Sequence, residues 1–147
     1  MRGIIYEISK DPENLGLMDE SNFYEMNGIE FDYVKNEEKT EGASAAETFL
    51  KWLRSFGTPI SGNSFILTET VKEKIFSENY SKFKKLADSM TLREFATSNL
   101  YTLRSHIEDP YGDAVHTEED SFLPLERWIR EAETGVRYYV GNCVIMH

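Results

Sequence analysis

The sequence predicts an α+β domain in which an N-terminal strand, an Asn-Gly hairpin and C-terminal strands form an antiparallel sheet, with about four helices packed on it. Three observations lead there. Apolar residues alternate at both ends of the chain, three-and-four spacing marks helical stripes through its middle, and Asn27-Gly28 separates two alternating runs. The 147 residues contain no internal repeat and no linker long enough to divide them, so 1–147 reads as a single globular domain. Nine Phe, eight Tyr and two Trp supply the bulk of a core despite a net charge of −10.

Each element has a local reason. Gly3 to Ser9 alternates, with Ile4, Tyr6 and Ile8 to one side, as a strand does. Asp11-Pro12-Glu13-Asn14-Leu15-Gly16 is a turn cluster. Phe23–Met26 and Ile29–Val34 flank Asn27-Gly28, a type I′ turn whose central residues need φ > 0, which Asn and Gly adopt at little cost. That register turns Tyr24, Met26, Ile29, Phe31 and Tyr33 to the core. It sends Phe23, Glu25, Glu30 and Asp32 to the other side, with Glu25 opposite Glu30. Lys35 to Gly42 reads as a charged connector.

Ser44 and Glu47 form a capping box, and the helix behind it carries Ala46, Phe49, Leu50, Leu53 and Phe56 inward until Gly57 and Pro59 stop it. Phe65-Ile66-Leu67 is a short strand. Thr68 or Thr70 caps a second helix, with Val71, Ile75, Phe76, Tyr80, Phe83, Ala87 and Met90 on one stripe. Thr91 with Glu94 repeats the capping pattern, and Leu92, Phe95, Ala96, Leu100, Leu103 and Ile107 continue a stripe that Ser98-Asn99 interrupts. Ala114–Thr117 is a short strand. Pro124 suits the first turn of a helix with Leu125, Trp128, Ile129 and Ala132 inward, ended by Gly135. Val136 to Met146 is rich in β formers. Gly141-Asn142 is either a hairpin turn, with Tyr138 facing Ile145, or a point inside one bulged strand.

Charge divides along the chain: residues 1–50 carry a net −8, 51–100 a net +3 and 101–147 a net −5. Such a field repels phosphate backbones, so no direct contact with nucleic acid is expected, whereas basic proteins are steered toward it. The single cysteine, Cys143, excludes an internal disulfide and a CxxC metal knuckle. The first residues lack a signal-like apolar stretch and no apolar run is long enough for a bilayer, which makes a cytoplasmic protein without membrane contact the expectation.

Three functional readings follow. In the first, the chain is a small acidic protein-binding module of accessory, regulatory or inhibitor type, and Phe23, Glu25, Glu30 and Asp32 face a basic partner. Like charges opposite one another in a sheet are destabilising unless something basic meets them. In the second, it is a metal-dependent or hydrolytic enzyme built on His106, Asp109, Asp113 and His116. Imidazole with carboxylate is ordinary first-row metal chemistry, but this spacing matches no established ligand pattern. The plainer account of the same segment puts His106 at a helix end and Asp109-Pro110-Tyr111-Gly112 in a turn. The third reading is a homo-oligomer subunit using an uncovered strand edge. Asp32 with Glu37-Glu38-Lys39 resembles a nuclease D…ExK only superficially, in a loop and on a chain of the wrong charge. There is no GxSxG, GxxxxGK[ST] or GxGxxG, so neither a nucleophile elbow nor a cofactor is expected.

Overall fold

The computed structural model describes residues 3–23, 34–37, 44–119 and 121–146. In chain order the strands and helices are β1 (Gly3–Ser9), β2 (Val34–Asn36), α1 (Ala45–Arg54), β3 (Ile60–Ser61), β4 (Ser64–Ile66), α2 (Glu69–Ser89), α3 (Leu92–Thr97), α4 (Tyr101–Ser105), β5 (Ala114–Thr117), β6 (Phe122–Pro124), α5 (Leu125–Glu131) and β7 (Arg137–Met146). The fold is α+β. Its sheet runs β3-β4-β7-β1-β5-β6, with β2 also pairing β7. All its pairs are antiparallel except β1 with β5.

The expected architecture therefore holds with two refinements. The sheet is mixed rather than wholly antiparallel, and Lys35-Asn36 belong to β2 rather than to a connector. The Asn-Gly turn and most of the hairpin around it, residues 24–33, lie outside the described residues.

The C-terminal segment resolves as one bulged strand, not a hairpin. β7 is ten residues long and holds the middle of the sheet. One edge pairs β1, and the other takes β4 near its start and β2 near its end. Tyr6 faces Cys143 but Ile8 faces Val140, so Gly141 and Asn142 together oppose Glu7. One extra residue of this kind is a β-bulge.

Both sheet faces are covered. On one, Tyr6, Ile8, Val115, Tyr138, Val140 and Cys143 pack under α1, the first turns of α2, and α5. Tyr6 stacks on Phe49 at 4.5 Å between ring centroids, and Trp128 meets Phe65 and Tyr138 edge-on. Ser44 caps α1 by accepting from Glu47 N, as read, and Thr68 rather than Thr70 caps α2. On the opposite face Ile5, Ala114, Val144 and Met146 lie under the 9–23 segment, which contributes Met18 and Phe23. A fully buried side chain of this size contributes about 1.5–3 kcal/mol. No described helix is long and apolar enough to cross a membrane.

Candidate functional site

The four residues of the proposed metal loop are not assembled into a ligand set. Among the described residues no three His, Cys, Asp or Glu side chains are grouped to hold an ion. Local hydrogen bonding explains the separation. Asp113 Oδ1 accepts from Ile4 N at 2.9 Å, tying the segment before β5 to β1. Asp109 Oδ1 accepts from Tyr111 N at 3.0 Å, an Asx turn. His106 ends α4 as its C-cap, and the His116 ring packs edge-on against Phe23, 5.6 Å between centroids.

That segment is instead latched to α5. Arg127 Nε donates to Glu108 Oε2 at 2.9 Å while its Nη2 reaches the other oxygen. The guanidinium holds the Glu108 carboxyl below its ordinary range. Leu125 N donates to Asp113 O at 2.9 Å. Burial pushes the Glu126 carboxyl up, against opposing hydrogen bonds from its own N–H and that of Asp109. Its Oε2 is buried without a hydrogen-bond partner.

Of the proposed partner face, Glu25, Glu30 and Asp32 lie outside the described residues. Phe23 corrects the reading. It closes a 3-10 turn, Glu20–Phe23, and is 3% exposed beside Ile5 and Met18. A short polar turn ending in one aromatic folds that ring inward, since only there is its apolar area removed from water. Its ring is core and offers no docking surface.

Beneath the 9–23 segment lies the one charged side chain of β1. Glu7 is 5% exposed, and its carboxylate accepts four backbone N–H bonds: Gly16 and Asn142 on Oε1 at 2.7 and 2.9 Å, Leu17 and Met18 on Oε2 at 3.0 and 2.9 Å. A Cβ on Gly141 would overlap Oε1, so glycine is required at the bulge. With every lone pair in use, this carboxylate binds the chain to itself.

Two clefts open at the carboxyl ends of the parallel pair β1 and β5. One, of about 330 Å³, lies beside Asn14, Asn22 and His116; the other, of about 310 Å³, has Trp128 and Tyr138 among its walls. Glu118 stands between them, occupied by Ser9 Oγ and by Asn14 Nδ2 at 3.1 Å. Cys143 is inert here: burial foremost, with the charges of Glu37, Glu7 and Asp113, pushes its thiol up to about 12.

The remaining candidate is the helical arm. Val71, Ile75 and Phe76 fix the start of α2 to the core, Arg130 covers the Phe76 ring at 4.3 Å, and Lys72 Nζ donates to the Arg130 and Ala132 carbonyls. From Ser77 to Ser105 no residue is buried. Phe83, Leu86 and Met90 are half-buried, and α4 folds back on α2. Thr91 caps α3 by accepting from Glu94 N, and the break before α4 falls at Ser98-Asn99, with Leu100 at φ 58°. Tyr80, Leu92, Phe95 and Tyr101 are left 61, 83, 59 and 54% exposed.

The spacing puts Tyr80, Leu92 and Phe95, though not Tyr101, on apolar stripes of helices expected to pack on the sheet. The spacing was right but the partner surface was not, because α1 and α5 already occupy the sheet face. A usable signal was present: Phe76, Asn79, Phe83, Leu86 and Met90 repeat at three and four, the pattern of a helix that packs along helices rather than on a sheet.

No family model, curated protein or solved structure matches this chain.

Proposed function

We propose that this protein is an acidic protein-binding module whose docking element is the arm formed by α2 from Ser77, α3 and α4. One observation carries the reading: 29 consecutive ordered residues, 77–105, contain no buried side chain yet present four large apolar ones to solvent. Apolar patches on a helical surface are a usual signature of protein contact, and aromatic anchors dominate the energetics of such contacts. The assembly of the chain's other titratable groups supports this over the metal-dependent reading, since His106, Asp109, Asp113 and His116 are spent on caps, turns and packing.

Photo-crosslinking residues placed singly at Leu92, Phe95 and Tyr101 test it in cell extract, with exposed Thr48 on α1 as the control position. Protein adducts concentrated at the three arm positions are expected. An arm that yields no more adduct than Thr48 overturns the reading.

A further inference from the structure

The arm and the rest of the chain carry opposite charge. Residues 77–105 hold five basic side chains, Lys82, Lys84, Lys85, Arg93 and Arg104, against Glu78, Asp88 and Glu94, a net of +2. The remainder nets −12. Within the arm, Glu78 is already matched by Lys82 at 2.9 Å, one turn away. Lys84, Lys85 and Arg93 share the exposed surface with Tyr80, Leu92 and Phe95, and Lys84 Nζ lies 5.3 Å from the Tyr80 ring centroid.

We infer that the arm docks on the acidic body of a second copy of this chain. The inference rests on the docking reading above and names its occupant. Charge complementarity selects that occupant. The basic, apolar arm needs an acidic surface with apolar ground beneath it, and the remainder of the chain, at net −12, is of the sign that matches. The body supplies one at the cleft beyond the carboxyl ends of β1 and β5. Glu118, Glu119 and Glu131 stand exposed at its rim, and Leu123, Trp128 and Tyr138 line it. Lys10 is its basic residue and is already bridged to Glu133 at 2.7 Å. α2 is 21 residues long, about 31 Å by helical rise, so the arm's tip stands well clear of the core that anchors its first turns. Arm and cleft are unlike patches, so the contact is heterologous and either closes as a reciprocal pair or ring, or propagates.

Sedimentation of the purified full chain decides it. At about 100 μM protein and about 50 mM salt, where the Debye length exceeds roughly 10 Å, species of at least twice the 17.0 kDa chain are expected. Raising the salt to about 500 mM should weaken association roughly ten-fold or more. The arm variant K84E/K85E/R93E and the body variant E119K/E131K should each sediment as monomers with unchanged circular dichroism. An equimolar mixture of the two should associate again, because the reversed arm meets the reversed body. A wild-type chain that remains at 17.0 kDa overturns the inference, as does association that strengthens with salt or survives both variants. Adducts to other proteins from the arm crosslinks would then still uphold the docking reading, so the two fail separately.

Discussion

Glu7 illustrates how a single residue organises its surroundings. A carboxylate placed inside a sheet carries a large desolvation cost unless its lone pairs are filled. Here backbone N–H groups fill them from two directions, three from the 16–18 turn and one from the bulge of β7. Glutamine in its place puts an amide NH₂ against two N–H donors whichever way it is turned. Glu7→Gln should cost about 3 kcal/mol, read by urea denaturation. Gly141→Ala should cost a similar amount through its clash with Oε1, and the double variant E7A/G141A should cost clearly less than the single variants E7A and G141A added together. The same packing shields Cys143. Its thiol should resist alkylation at neutral pH in the folded protein and react fully once the chain is unfolded in denaturant.

At the scale of elements, the 106–113 segment and α5 behave as one unit, and Glu126 gives that unit a pH dependence. Its carboxyl is raised above the ordinary 4.5, so the folded state holds the proton more tightly than the unfolded chain. Stability from this group is fully present below 4.5 and is lost as pH rises through the folded value. Glu126→Gln mimics the protonated form. Its thermal midpoint should match wild type in mild acid and rise relative to wild type as pH increases toward neutrality. Glu108 works in the opposite sense: its lowered carboxyl contributes above 4.5 and loses that contribution on acidification. Local signals made these elements legible. Ser44, Thr68 and Thr91 each cap the helix behind them, and Leu125, Trp128, Ile129 and Ala132 turn inward as their spacing requires. What periodicity does not encode is the surface a stripe will meet, which is why Leu92 and Phe95 read as core and stand in solvent.

For the whole molecule, the fold class was legible because strand alternation and helical spacing are properties of neighbouring residues. The parallel pairing of β1 with β5 and the tandem seating of β4 and β2 on one edge of β7 were not, since both depend on contacts far apart in sequence. The candidate site was legible only in its parts. Lysines, aromatics and three-and-four spacing were visible, but their common exposure is a consequence of which helices reach the sheet first. Likewise, the alternation of β1 gives no sign that Glu7 is buried, and its four donors become apparent only with the bulge.

The pairing of β1 with β7 also sets an order of events during synthesis. Residue 3 finds its partner at residue 146, so the centre of the sheet waits until β7 has been translated. Until that moment Ile5 and Ile8 have no neighbour on that edge, whereas α2 closes its own hydrogen bonds as soon as it exists. Non-local pairing of this kind folds on the slow side of the range for small domains, in milliseconds to seconds. The nascent chain therefore displays its arm first and its finished core last, and a chaperone would meet the helices before it could meet the sheet.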